Sequence, residues 1–448
     1  MAITDPAEQR KNPLTFIHLN EMKQFPIRDY TDRRSFLQFH DRFATACALA
    51  MQGLGDVPFS VDLLPHEKPS FFSKFKRKKQ IPAAWGFDFG YSCVKAVRLT
   101  FDEEGVFAVD ECFHCHHPYD GPPLNEEEAQ AKLSEQQIAD LIRQQSPKSP
   151  FDSDEVPMVS MPLDQNQFRN LAIESFLSKY EYQGESICIG YPGHNILCAN
   201  IKLPQMPPQQ TWQAVQYESK HHLPDNPNLF QTSYLVLGWE EDEQNIMKQY
   251  IHLFSARLGV IENLLMSLHK YGIAPTLMTS SVLANLNYAY QLFSLPSVAQ
   301  PPRNPEEPFP QSPSNENFEP PEIQSILICD MGTMGTDLTF YNLREIRHSY
   351  IDIGGQDFTK SIAKSLGETF QFAEAIKRNP TQRTEDTSKV VEALKPVARS
   401  LVDAILLRLK HFQQTGTPLD KIVVLGGGFQ LKGFAAYFKN LLLAAWKS

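Results

Sequence analysis

A chain of 448 residues with 42% hydrophobic and 21% charged residues has the material for two or more cored domains, and no stretch of it approaches the roughly 18–20 apolar residues that cross a bilayer. Its formal charge of −10 excludes general nucleic-acid binding, which needs a net basic surface. Seven scattered cysteines make no disulfide framework in a chain this long, the N-terminus lacks the charged and apolar regions of a signal peptide, and the default compartment is the cytoplasm.

Residues 1–80 read as an N-terminal extension unlike the rest. Near-helical spacing of Phe36, Phe39, Phe43, Cys47 and Leu49 predicts a surface-packed amphipathic helix from Asp32 to Gln52. The extension closes on a basic leader, Lys74 to Lys79, interleaved with Phe71, Phe72 and Phe75. That combination suits peripheral contact with an anionic membrane surface, the rings entering the interface while the lysines meet headgroups.

From residue 81 the pattern turns α/β. Strands are expected at Ala84–Asp88, Cys93–Thr100 and Val106–His114, a meander wrapped around a glycine turn, followed by an exposed excursion over 119–165, a helix from Leu163 to Tyr180 and a strand from Ser186 to Ile189. Within the third strand, Cys112-Phe-His-Cys115-His116-His117 matches a c-type haem attachment pattern and supplies half a zinc site. It also alternates as an ordinary strand, and the strand reading is preferred because no second cysteine pair follows.

Residues 196–270 form an inserted strand–helix–strand–strand–helix module, and 271–295 return to the first unit. The segment 296–322 is a linker carrying nine prolines. Residues 323–448 then repeat the opening meander, with strands at Gln324–Asp330, Asp337–Tyr341 and Ile346–Ile353. The last helix, 434–448, continues from a third glycine turn with only two lysines and reads as core packing, not as a detached membrane anchor.

Three segments carry the chemistry: Gly86-Phe-Asp-Phe-Gly-Tyr-Ser-Cys-Val-Lys95, Cys329-Asp-Met-Gly-Thr-Met-Gly-Thr-Asp337 and Val424-Leu-Gly-Gly-Gly428. Each is a strand running into a glycine-bearing turn, and the first two hold an aspartate before small and hydroxyl residues. Glycines let backbone N–H groups approach phosphate oxygens, while an aspartate nearby holds Mg²⁺ through water. Two such meanders facing one another can clamp a nucleotide.

These segments resemble the actin/Hsp70/hexokinase ATPase superfamily and, within it, the type IV pilus assembly PilM family. Further likeness lies in Ile353-Gly-Gly355, Phe372-Ala-Glu-Ala-Ile-Lys377, Leu431-Lys-Gly433, the basic leader, and the module residues Lys202-Leu-Pro204 and Tyr217 to Pro224, which are similar to a subdomain that PilM proteins share with FtsA. Tyr91 departs from the pattern, standing where a small hydroxyl residue is usual. The resemblance implies a duplicated actin-like (ribonuclease H-like) α/β fold, with two lobes around a nucleotide cleft and an inserted small α+β subdomain.

It further implies ATP and Mg²⁺ as cofactors. Asp88 and Asp330 would hold the metal shell. Gly90, Ser92, Gly332, Thr333 and Thr336 would cradle the phosphates, and Lys95 would neutralise them. Glu374 and Lys377 would contact ribose and base, with Gly426 and Gly427 closing over the adenosine. The partner implied is the cytoplasmic N-terminal peptide of a PilN-like bitopic inner-membrane protein within a pilus assembly platform, with the chain cytoplasmic and peripheral to that membrane. ATP hydrolysis on this reading is slow or absent, and no residue is singled out to position an attacking water. Two other readings stay open: a phosphotransferase of the sugar- or acetate-kinase type, and a polymerising FtsA-like protein.

Overall fold

Two five-stranded sheets follow one plan in this computed structural model, which describes residues 14–19, 40–55, 57–65, 83–101, 105–117, 165–293, 325–342, 344–378, 387–412, 419–431 and 433–447. In the first sheet β2 (Ala83–Phe89), β3 (Cys93–Phe101) and β4 (Phe107–His116) form an antiparallel meander. Beside β2 run β5 (Ser186–Tyr191) and β9 (Leu277–Ser280), parallel to it, giving the order β4-β3-β2-β5-β9. The second sheet repeats this with the meander β10 (Ser325–Met331), β11 (Thr336–Asn342) and β12 (Glu345–Ile351), extended by β13 (Lys421–Leu425) parallel to β10. Its fifth strand comes from the far end of the chain. Residues Thr15–His18, β1, pair parallel with Lys421–Val424.

That pairing changes the expectation for the N-terminal residues. The surface-packed helix predicted from Asp32 is, among the described residues, a 3₁₀ turn at His40–Phe43 followed by α1 (Ala44–Leu54). Every residue of α1 from Ala44 to Gln52 is buried in the core of the first lobe. The physical cause is its composition: Ala44, Ala46, Ala48 and Ala50 let the helix lie close on β2. A Cβ built on Gly86 would lie 2.1 Å from the Ala46 carbonyl oxygen and 2.3 Å from the Ala50 nitrogen. Gly86 is therefore a packing glycine, admitting a helix backbone against a strand.

After α1 the chain runs extended along the edge strand β9. The Leu63 N–H donates to the Met278 carbonyl (2.8 Å), and Asp62 Oδ1 accepts from the Met278 N–H (3.2 Å). Val57, Phe59, Val61 and Leu63 turn inward and are buried. Phe59 packs edge-on against Tyr341 of the second sheet at 5.0 Å, so this segment touches both lobes.

The remaining helices dress the sheets. In the first lobe α2 (Gln165–Lys179) places Phe176 edge-on to Trp85 at 4.8 Å, and α5 (Ser281–Phe293) leads towards the second lobe. There α6 (Gly355–Leu366), α7 (Phe370–Arg378), α8 (Thr387–Phe412) and α9 (Phe434–Lys447) enclose a core that includes Ile362, Ala398, Leu401, Ile405, Phe438 and Leu442. Phe434, Phe438 and Leu442 of α9 are buried, which agrees with its reading as core.

The inserted module is a three-stranded antiparallel sheet, β6 (Ile196–Pro204), β8 (Met247–Arg257) and β7 (Phe230–Glu241), with α3 (Pro208–His222) on one face and α4 (Leu258–His269) following β8. A proline at the start of α3 removes an N–H that the helix could not have satisfied anyway. The module also meets the second lobe: Asn200 Nδ2 donates to the Ile346 carbonyl (2.9 Å), and Arg344 approaches Glu240 (3.5 Å).

The basic leader, the Pro-rich linker, and all of the excursion 119–165 except Gln165 lie outside the described residues. The Cys112–His116 run is part of β4, with Phe113 and Cys115 buried on one face and His114 exposed on the other, where Cys112 is nonetheless buried. Among the described residues no three His, Cys, Asp or Glu side chains cluster to hold a metal, and no helix is long and apolar enough to cross a membrane.

Candidate functional site

The two duplicated turns come face to face between the lobes. β2 delivers Asp88 and β10 delivers Asp330, and in each hairpin the residue seven positions on stands directly across the ladder: Lys95 opposite Asp88, Asp337 opposite Asp330. The repeat thus keeps its geometry while reversing one charge. Lys95 Nζ lies 2.6 Å from Asp88 Oδ2. Burial alone would lower the Lys95 ammonium, but Asp88, with Cys93 and Asp330 beyond it, outweighs that and holds its pKa above the ordinary value.

Across the ladder from a second carboxylate, Asp330 behaves differently. Burial first, then Asp337, push its carboxyl up to about 7, against the opposing influence of Lys95 and the Asn285 amide. Asn285 Nδ2 donates to Asp330 Oδ2 (2.9 Å), and Thr45 Oγ1 donates to Asn285 Oδ1 (2.8 Å), so a polar chain joins α1 to this acid. Asp337 in turn meets His348 Nε2 at 2.8 Å. It also packs so closely on the turn after β5 that a Cβ on Gly193 would lie 2.5 Å from its Oδ1.

The hydroxyls of the two turns touch. Ser92 Oγ and Thr333 Oγ1 are 2.5 Å apart, one from each lobe, so the cleft is closed at this point. Gly90 sits where a Cβ would strike the Cys93 carbonyl at 2.6 Å. In the second turn the Gly332 N–H donates to the Gly335 carbonyl (2.9 Å), and the Gly355 N–H donates to the Gly332 carbonyl (2.9 Å), which fixes the start of α6 against the turn. Thr336 is fully buried and its hydroxyl donates to the Ile353 carbonyl (2.8 Å).

The third turn closes the arrangement from β13. Gly426 has φ +94°, a conformation that favours glycine, and a Cβ there would meet Asp330 Oδ1 at 2.4 Å. Gly427 faces Arg42, whose Nε lies 3.9 Å from where a Cβ on Gly427 would be.

Glu374 and Lys377 are not a solvated surface pair. Glu374 is buried, 2.6 Å from Lys377 Nζ and 3.1 Å from Arg378 Nε, and accepts a hydrogen bond from Thr359. Lys377 Nζ also donates to the Gly355 carbonyl (2.9 Å) and to Thr359 Oγ1 (2.7 Å). This network therefore joins α7 to α6 and, through Gly355, to the second turn.

Of the residues predicted for the site, Asp88, Ser92, Lys95, Asp330, Gly332, Thr333 and Gly426 converge on the cleft. Glu374 and Lys377 stand one layer back. Sequence reasoning passed over Arg42, Thr45, Asn285 and His348. Asp337 lay inside a quoted motif without a role, though the seven-residue spacing it shares with Lys95 was a signal. Arg42 and Asn285 carried no local one.

The donor set suits a magnesium nucleotide. Burial and the neighbouring Asp337 charge raise the Asp330 carboxyl, and a divalent cation nearby would relieve that strain. With no three-ligand cluster among the described residues, that ion would be held through water and phosphate oxygens, as Mg²⁺ commonly is.

Comparison with solved structures places the architecture. The chain is similar to the structure titled PilM-PilN type IV pilus biogenesis complex, at TM-score 0.55 and 17% identity over 81% of this chain and 86% of that one. The fold is that of the actin-like ATPases. More distant likenesses include ethanolamine utilization protein EutJ from Carboxydothermus hydrogenoformans (TM-score 0.38, 12% identity, 83% and 85% of the two chains) and the archaeal actin homolog Ta0583 (TM-score 0.35, 13% identity, 80% and 91%). No protein-family model and no curated protein sequence matches the chain. Within the actin-like frame, the Asp88 and Asp330 turns are the two facing hairpins, one per lobe, and the Gly426 turn is the third wall of the cleft.

Proposed function

We propose that this chain is a nucleotide-binding scaffold of the inner-membrane assembly platform of a type IV pilus or a related secretion machine. It binds ATP with Mg²⁺ between its lobes, and it binds the cytoplasmic N-terminal peptide of a PilN-like bitopic membrane protein. The observation that carries the nucleotide half is the meeting of two aspartate-bearing turns, one from each lobe, at the Ser92–Thr333 contact. In this reading Asp88 and Asp330 hold the metal's water shell and Gly90, Ser92, Gly332 and Thr333 surround the phosphates, while Thr336, buried with its hydroxyl on the Ile353 carbonyl, supports the turn from behind. Lys95 neutralises phosphate charge, Glu374 and Lys377 support the ribose and base side, and Gly426 and Gly427 close over the adenosine.

The partner half is supported by the likeness to a PilM-PilN complex and by the inserted module. Among the described residues β7 pairs in its sheet with β8 alone, and Trp212 and Tyr217 of α3 are exposed, 40% and 63%. An open strand edge beside exposed aromatic rings is the usual receptor for an extended peptide.

Isothermal titration of the full chain with ATP and Mg²⁺, with and without that peptide, tests both halves. We expect saturable ATP binding that alters peptide affinity, since coupling between two sites is reciprocal. Asp330→Ala should weaken ATP binding by at least about tenfold, the scale of losing one charge-assisted interaction, while the circular-dichroism melt stays cooperative. Unchanged affinity in that variant would remove the second turn from the site.

A further inference from the structure

We propose that Arg42, supplied by the N-terminal segment, is a phosphate-recognising cation of the cleft, so that binding of a nucleoside polyphosphate depends on a residue outside the three glycine turns. This rests on the nucleotide reading above and extends it to a residue that no motif marks.

Arg42 lies just before α1, and its position is fixed from two sides. Lys95 Nζ donates to the Arg42 carbonyl (3.0 Å), which ties the backbone to the first turn's lysine. Its guanidinium reaches Gly427 on the opposite lobe. It also helps hold the Cys93 thiol below its ordinary pKa: burial raises that thiol, but the charge and hydrogen bond of His116, then Arg42 and Lys95, outweigh it. Cys93 follows Ser92 directly, so the Arg42 charge is felt at the first turn while its side chain borders the third.

The charges of the cleft show why such a cation matters. Asp88 and Asp330 face Lys95, which is already 2.6 Å from Asp88, and Asp337 stands beside Asp330. A polyphosphate entering beside these acids needs positive charge beyond that of Lys95. A guanidinium offers it in a planar fork that matches phosphate oxygens, and it stays charged at every physiological pH. Thr45, three residues on, reaches Asp330 through Asn285. The N-terminal segment therefore touches two of the three turns through side chains and the first through its backbone.

The test compares the full-length wild type with Arg42→Ala and Arg42→Lys, titrated by calorimetry with Mg²⁺-ATP, with adenosine and with inorganic tripolyphosphate. We expect Arg42→Ala to lose ten- to a hundredfold in affinity for ATP and tripolyphosphate and to keep its adenosine affinity. Arg42→Lys should recover part of the loss, because charge returns without the fork. Equal ATP affinity in wild type and Arg42→Ala, or an equal loss for ATP and adenosine, would overturn the assignment. Wild type that binds none of the three ligands would instead sink the nucleotide reading itself. A melting curve for each variant separates lost binding from lost fold, and should Arg42→Ala not fold, Arg42→Lys decides: full wild-type affinity for tripolyphosphate in it would remove the fork from the argument.

Discussion

Glycines in this protein do two kinds of work that look alike in the sequence. Gly426, with φ +94° and Asp330 against it, shapes a turn, whereas Gly86 sits in mid-strand so that α1 can press its backbone onto β2. The Gly86-x-Asp88 spelling therefore joins a packing requirement to a site residue. Gly86→Ala should destabilise the protein by about 1–3 kcal/mol or more, the usual range for overpacking, because the groups it meets are backbone atoms that cannot swing aside. Chemical denaturation would measure this, and a variant as stable as wild type would mean that α1 shifts freely on the sheet. The turns themselves were legible because aspartates, hydroxyls and glycines at strand ends are local signals. The Thr45–Asn285–Asp330 chain was not, since its members are 240 and 45 residues apart and only the fold brings them together.

At the scale of elements, most strands and helices fell where periodicity put them, and the exceptions share a cause. β1 is four residues long, too short to show alternation, and α1 is buried all round, so neither face of it stands out. Tertiary packing decides both. The contact between the inserted module and the second lobe was equally hidden, and it carries a titrating group. His252 of β8 is fully buried, with Nδ1 2.6 Å from Asn200 Oδ1. Because the Asn200 amide donates to Ile346, its oxygen accepts and His252 donates. Burial, with a smaller contribution from His348, lowers its pKa to about 3. A base whose folded pKa is depressed contributes stability in full above its unfolded value near 6.5, and loses it as pH falls from there towards 3. The loss over that window is on the order of 4 kcal/mol. Thermal melts of His252→Gln should therefore decline less between pH 6.5 and 4 than those of wild type. Parallel curves would show that His252 is solvated.

For the whole molecule, the residues before the first lobe belong to both lobes at once. β1 completes the second sheet, α1 fills the first core, and Phe59 reaches the Tyr341 ring across the divide. Fully burying a Leu or Met side chain is worth roughly 1.5–3 kcal/mol, and α1 with the strand after it buries several such groups. Their sum is comparable with the total stability of about 5–15 kcal/mol typical of a folded protein. A chain beginning at residue 81 should therefore lack a cooperative melt and bind hydrophobic dyes. If it melted like the full chain, the N-terminal residues would be an accessory after all.

The charge reversed between the repeated hairpins has a consequence for orientation. Lys95 and Asp337 occupy the same place in two copies of one motif, so one side of the cleft carries a cation paired with Asp88 and the other a pair of carboxyl groups. A symmetric vise would accept an elongated ligand either way round. On the nucleotide reading proposed above, the two ends of such a ligand would meet different surroundings here, the Lys95–Asp88 pair at one and the Asp330–Asp337 carboxyl groups at the other. A lysine in one hairpin and an aspartate at the matching place in the other make two jaws of one plan chemically unequal.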